Sequence, residues 1–175
     1  MANNCVYDLK AVSKSKESLE RLVKIMNYED PEYYIYRCFS AQDWSWSVDG
    51  DFHVVEITGD VAWSCNEWFS STEEDETRLG DGWDYKGDCG DAHYITLDLI
   101  CKELGIGIEC WGEEIGVGFQ EYYLVNHEGE IVCNECRDFS RIYEDENGND
   151  LDEPIEEGGF EEYLEFSFPE EIYGE

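Results

Sequence analysis

The chain has 175 residues and is 42% hydrophobic and 15% aromatic, enough for one domain with its own core and too apolar for a disordered protein. Its formal net charge of −33 argues against direct binding to nucleic acid, because two polyanions repel each other and release no counterions on contact. No apolar run reaches the ~18 residues of a membrane-spanning helix, and the first residues carry no signal-peptide pattern. We therefore expect a cytoplasmic protein with reduced cysteines and no membrane partner.

The N-terminal part of the chain predicts a strand, a helix and a second strand. Residues 5–12 alternate apolar and polar side chains, as a half-buried strand does. Ser13 or Ser15 can cap the following helix, whose apolar side chains recur at helical spacing, at Leu19, Leu22, Val23 and Met26. Aromatic and β-branched residues favour a second strand over 33–39.

The next stretch predicts a loop, a third strand and an insertion. Residues 41–50 are interpreted as a loop that closes on the turn Asp49-Gly50, and residues 52–63 as the third strand. Residues 64–91 are polar, acidic and rich in glycine, with Trp68 and Trp83 embedded in them. This composition is typical of a long insertion.

From Ala92 onward the pattern predicts a helix and then strands. Apolar residues recur at helical spacing over 95–104, and Gly105 ends that helix. Strands are predicted at 106–111, 119–125, 130–133 and 139–143, with a turn at 146–149. Residues 160–168 fit either a strand or a short helix.

This order of elements predicts an α+β fold of the ferredoxin-like β-α-β-β-α-β type with an added β-hairpin, in which two helices cover one face of an antiparallel sheet. We expect a domain over 1–141 with the acidic insertion 64–91. Residues 142–175 are expected to form an acidic C-terminal extension, packed on that domain or following it. Two copies of the chain could pair as a homodimer, through the free sheet face or through an edge strand.

Three stretches resemble one family. The opening Met-Ala-Asn-Asn-Cys5, the run Ala62-Trp63-Ser64, and the glycine-rich segment 101–119 followed by His127-Glu-Gly-Glu130 are similar to the ferredoxin-like YubB/Api92 group of phage and plasmid proteins. The resemblance covers about residues 1–136 and implies an origin in a phage or mobile element. It implies no activity and no catalytic residue.

Candidate sites for chemistry are few. Cys133-Asn-Glu-Cys136 has the CxxC spacing of a zinc or redox motif but no second pair, so it makes only a weak metal candidate. Oxygen ligands from Asp145 to Glu156 follow part of the calcium-loop spacing and lack its glycine. No Ser/His/Asp or Cys/His set lies in a sequence context that supports catalysis. We therefore predict a protein that is not an enzyme and has no cofactor.

The charge distribution gives the functional hypothesis. Residues 1–27 have a net charge of +2, whereas the last 34 residues hold 14 carboxylates and no Lys or Arg. A surface of this kind predicts a basic partner, one whose Lys and Arg normally grip nucleic acid. Together with the phage resemblance, it suggests an anti-defence protein, namely an anti-CRISPR inhibitor that enters the basic channel of a CRISPR effector nuclease as a DNA mimic, in the host bacterial cytoplasm.

The predicted partner-binding residues are carboxylates and two tryptophan anchors: Trp68, Glu73, Glu74, Asp75, Glu76, Asp81, Trp83, Asp84, Glu144, Asp145, Glu146, Asp150, Asp152, Glu153, Glu156 and Glu157. One alternative is a structural or regulatory phage protein whose acidity only keeps it in solution. Another is a metal-binding module that uses Cys133 and Cys136.

Overall fold

A computed structural model describes residues 4–35, 38–62, 64–65, 92–145 and 147–160, in which the chain forms nine strands and two helices. The elements are β1 (Asn4–Ser13), α1 (Lys16–Met26), β2 (Tyr33–Tyr34), β3 (Cys38–Asp49), β4 (Phe52–Ala62), β5 (His93–Tyr94), α2 (Leu97–Leu104), β6 (Gly107–Glu114), β7 (Phe119–Val125), β8 (Ile131–Glu144) and β9 (Asp150–Gly158).

The predicted ferredoxin-like α+β fold is wrong. The described residues are mostly β, with seven antiparallel strands in one curled sheet and only two short helices. The strand order across the sheet is β3-β4-β1-β6-β7-β8-β9. Residues 41–50, interpreted as a loop, lie mainly in β3. The predicted boundary after residue 141 falls inside β8, which continues to Glu144 and pairs with β9.

Strand β1 lies inside the sheet, between β4 and β6. Alternate side chains of β1, including Tyr7, Leu9 and Ala11, are buried on one face among the apolar residues of α1 and α2. We call this the inner face. The opposite face, which carries Asp8 and Lys10, is the outer face.

Both predicted helices are confirmed. The N-cap of α1 is Ser15, whose hydroxyl accepts a hydrogen bond from the Ser18 N–H, and the apolar stripe of the helix is buried. Helix α2 ends at Gly105, which takes the left-handed conformation (φ 61°) that a residue without a Cβ adopts readily. No helix in the described ranges is long and apolar enough to cross a membrane.

Arg21 joins α1 to the segment that follows it. Its Nε lies 3.0 Å from Oδ2 of Asp30, and its Nη2 lies 2.5 Å from Oε2 of Glu32. Burial acts to raise the pKa of Asp30, but hydrogen bonds from Arg21 and from the N–H groups of Glu32 and Tyr33 outweigh it and lower that pKa. Asp30 therefore stabilises the fold in its ionised form.

Candidate functional site

Strands β8 and β9 pair at one edge of the sheet and form an acidic hairpin, which we define as residues 135–157. This segment holds ten carboxylates and two arginines. Exposed carboxylates occupy both strands, at Glu135, Asp138, Glu144, Asp150, Asp152, Glu153, Glu156 and Glu157. Because successive side chains of a strand point to opposite faces, both faces of the hairpin are negatively charged.

The structure brings seven of the predicted partner-binding residues together on the acidic hairpin: Glu144, Asp145, Asp150, Asp152, Glu153, Glu156 and Glu157. The other nine lie outside the described residues: Trp68, Glu73, Glu74, Asp75, Glu76, Asp81, Trp83, Asp84 and Glu146.

Asp145 shapes the turn of the hairpin. Its carboxylate accepts hydrogen bonds from the N–H groups of Asn147 and Asn149 and from the Asn149 side chain. The hydrogen bonds from Asn149 lower the pKa of Asp145. The later oxygen ligands of the calcium-like pattern lie along the extended strand β9, and a strand rises about 3.4 Å per residue. The pattern therefore does not curl around one point as a calcium loop does.

Arg141 fastens the acidic hairpin to the neighbouring strands. Its Nη1 lies 2.9 Å from Oε1 of Glu113 on β6, and its Nε lies 2.9 Å from Oε1 of Glu156 on β9. The Glu113 carboxylate also accepts a hydrogen bond from Gln120 on β7. The pair with Glu113 is mostly buried, so it fixes β8 without using the exposed carboxylates.

A second contact holds the chain just after β9. The Phe160 N–H donates to Oε1 of Gln120, and the Phe160 ring lies edge-on to Tyr122. The Arg137 guanidinium carbon lies 4.3 Å from the centroid of the Phe160 ring, within cation–π range. These contacts return the chain to the outer face beside β7.

The outer face also buries a carboxylate. Glu109 is 1% exposed, and its Oε1 accepts a hydrogen bond of 2.6 Å from the Tyr122 hydroxyl. Within the described part of the chain, its Oε2 has no hydrogen-bond partner. Burial raises the pKa of Glu109, against the smaller lowering effects of Tyr122 and Lys10.

The opposite edge of the sheet carries aromatic side chains. Trp44 and Trp46 on β3 are 42% and 38% exposed. The Lys16 ammonium lies 5.3 Å from the centroid of the Trp46 ring. These two tryptophans therefore lie at an exposed edge of the described sheet, although neither was among the predicted site residues.

Cys133 and Cys136 lie on opposite faces of β8. Cys136 is opposite Glu121, which lies on the inner face. Cys133 is opposite Leu124, which lies on the outer face. Residues three apart in a strand point to opposite sides. The CxxC spacing therefore does not place these two thiols on one ion.

A different set of sulfurs does converge. We define the thiol cluster as Cys5, Cys65, Cys110 and Glu121, which lie on the inner face and are all buried. Within it, the ligand atoms of Cys5, Cys65 and Glu121 all lie within 4.8 Å of one another. They come from β1, the segment after β4, β6 and β7. Sequence reasoning missed this group because no two of its members have metal-motif spacing.

Comparison with known proteins gives no match to a family model, a curated protein or a solved structure.

Proposed function

We propose that the protein is a phage or mobile-element anti-defence protein, an anti-CRISPR inhibitor that mimics DNA in the basic nucleic-acid channel of a CRISPR effector. The observation that carries the proposal is the acidic hairpin. It presents eight exposed carboxylates on two paired strands, and a buried ion pair between Arg141 and Glu113 holds them in place. The resemblance to the YubB/Api92 group suggests where such a protein would act, the cytoplasm of an infected bacterium.

The charge density of the hairpin is close to that of one nucleic-acid strand. Ten carboxylates against two arginines leave eight net negative charges. They are spread along about ten residues of β8, or ~34 Å of strand. One strand of duplex DNA carries roughly 10 charges over that length, and the duplex roughly 20. The hairpin is thus suited to the Lys and Arg that follow a single phosphate backbone.

Rigidity favours mimicry over a solubility role. Carboxylates on a paired strand keep fixed spacing, whereas a charge that only prevents aggregation needs no fixed geometry. Fixed, complementary charge also gives fast association with a basic channel and strong dependence on salt. The inhibitor acts by occupancy, so it needs no catalytic residue and no cofactor.

The test begins with a pull-down from bacterial lysate at low and at high salt, with bound proteins identified by mass spectrometry. Any nuclease recovered is then purified, and its cleavage of target DNA is measured with and without the inhibitor. The proposal expects inhibition that added guide or target DNA competes away and that weakens as salt increases.

Matched charge-reversal variants separate the hairpin from net charge. Asp152→Lys, Glu153→Lys and Glu157→Lys change the hairpin, while a control changes Glu17, Glu29 and Glu128 to Lys at exposed positions elsewhere. Both triple variants have the same net charge. Loss of inhibition only in the hairpin variant supports the proposal. Equal loss in both, or no nuclease inhibited by the wild type, contradicts it and favours a structural or regulatory role.

A further inference from the structure

The thiol cluster has the spacing of metal ligands. The sulfurs of Cys5 and Cys65 are 3.9 Å apart, and with a carboxylate oxygen of Glu121 they all lie within 4.8 Å of one another. Two thiolates on one tetrahedral zinc ion, each ~2.3 Å from the metal, have sulfurs ~3.8 Å apart. A disulfide would require ~2.05 Å between the sulfurs. The observed separation therefore matches two ligands of one ion.

Cys110 is a buried neighbour of the three donors rather than one of them. Its side chain is fully buried on β6, but only the ligand atoms of Cys5, Cys65 and Glu121 all lie within 4.8 Å of one another. The converging donors are therefore two sulfurs and one oxygen from three separate segments. Three protein ligands leave the fourth position of a tetrahedral ion to a water molecule.

Gly112 keeps the space between the sulfurs open. A Cβ at this position would lie 2.9 Å from the Cys65 sulfur and 3.2 Å from the Cys5 sulfur. Gly112 is directly opposite Glu121 in the ladder between β6 and β7. Any other residue would intrude on the place where the donors converge, so the glycine is independent support for a site.

The carboxylate ligand is already oriented. Glu121 accepts hydrogen bonds from the Ser64 hydroxyl, from the Cys65 N–H at 2.8 Å and from the Tyr123 hydroxyl at 3.3 Å. Metal ligands in proteins are commonly held by such outer partners, which fix the direction of the lone pairs.

We propose that the thiol cluster is a zinc site, with Cys5 and Cys65 as thiolate ligands and Glu121 as the carboxylate ligand. Each of the two thiols gives up its proton to solvent on binding, so one Zn²⁺ replaces two protons. The ion links β1 and β7 to the segment after β4. This site is separate from the acidic hairpin and does not depend on the function proposed above.

The experiment uses the full chain, reduced, unfolded with a chelator and refolded with Zn²⁺ or Co²⁺. We expect about one zinc per chain by elemental mass spectrometry, the stoichiometry of a single site. The Co²⁺ form should show thiolate-to-cobalt charge transfer in the near ultraviolet and the visible bands of a tetrahedral ion. A wild-type chain that refolds with neither zinc nor these bands overturns the proposal.

Variants identify the ligands. Cys5→Ser and Cys65→Ser should lose zinc and the charge-transfer band. Cys101→Ser, a buried cysteine on α2, and Cys133→Ser, on the outer face, are matched controls and should keep both. Tyr123→Phe should weaken zinc binding by roughly 10–100-fold, as loss of an outer partner does.

Circular dichroism of each metal-free variant shows whether it folds. Where a serine variant does not fold, Glu121→Gln replaces it, because it keeps every thiol and should alter the visible cobalt bands. Unchanged cobalt bands in Glu121→Gln, or one zinc bound per folded Cys5→Ser Cys65→Ser chain, would overturn the assignment.

Discussion

Arg141→Met tests whether one mostly buried ion pair fastens the acidic hairpin to the sheet. The side chains of Arg141 and Glu113 are 21% and 8% exposed, and their charged atoms are 2.9 Å apart. Methionine keeps an apolar side chain but removes the cation, which leaves the Glu113 carboxylate buried beside Gln120. Removing one partner of a fully buried pair costs ~3–5 kcal/mol. Because water reaches part of Arg141, we expect a loss of ~2–3 kcal/mol in the free energy of unfolding.

Urea denaturation followed by circular dichroism measures the loss. Glu156→Gln is the control, since it removes only the arm of Arg141 that pairs with a half-exposed carboxylate, a contact worth ~0–1 kcal/mol. The double variant Arg141→Met Glu113→Leu should regain most of the stability, because an apolar pair can replace an ion pair of similar volume. The reasoning is refuted if Arg141→Met costs no more than Glu156→Gln, or if the double variant is no more stable than Arg141→Met.

Three further predictions concern stability. Asp30→Asn should lower the free energy of unfolding at neutral pH, because the folded pKa of Asp30 is below its unfolded value. This difference from wild type should shrink as pH falls from about 3.9, the unfolded pKa, through the lower folded pKa. Urea midpoints measured across pH test this, and a constant difference would contradict it. The wild type should lose stability as pH rises from about 4.3, the unfolded pKa of a glutamate, through the raised folded pKa of Glu109, because the buried carboxyl then ionises. Glu109→Gln lacks this loss, so its stability relative to wild type should increase over the same range. A stability difference that does not change with pH would contradict the burial argument. Gly112→Ala should cost ~1–3 kcal/mol by overpacking, because the new Cβ would lie 2.9 Å from the Cys65 sulfur. An unchanged thermal midpoint would rule out that contact.

The sequence predicts the elements whose periodicity is strong. The apolar stripe of α1 and the alternation in β1 match the structure closely, and the strand predicted at 119–125 is β7. Residues 44–48 show the same period of two, as Trp-Ser-Trp-Ser-Val, yet polar content and the nearby turn favoured a loop over 41–50. In the structure this alternation belongs to β3. Misreading it removed an edge strand and helped to produce the wrong fold class.

The acidic hairpin was harder to predict, for a physical reason. Its strands are rich in Asp and Glu, which have low strand propensity, so local preference does not indicate β9. The pairing depends on partners distant in sequence. Arg141 pairs with Glu113, and Phe160, two residues after the end of β9, donates to Gln120. Contacts of this kind become visible only once the sheet order is known.

The thiol cluster shows the same limit more sharply. Its members lie at positions 5, 65, 110 and 121, and the register of β4, β1, β6 and β7 brings them to one part of the sheet. A motif search instead favours Cys133 and Cys136, whose spacing would suit a loop or a turn. In a strand, that spacing places the two sulfurs on opposite faces.

The two proposed sites meet at β7, and their arrangement addresses one physical problem. A net charge of −33 repels itself, and pairing the exposed carboxylates with cations would relieve the repulsion but would remove the surface offered to a basic partner. In the described sheet, arginines pair two of the hairpin's exposed carboxylates, Glu135 and Glu156, and the ion pair that reaches β6 is mostly buried. On the outer side Gln120 contacts Glu113, which pairs with Arg141, and on the inner side Glu121 belongs to the thiol cluster. Adjacent residues of one strand thus serve the hairpin and the proposed zinc site. This arrangement stabilises the edge of the sheet from within, because interactions inside the protein are screened less by salt than those between exposed charges.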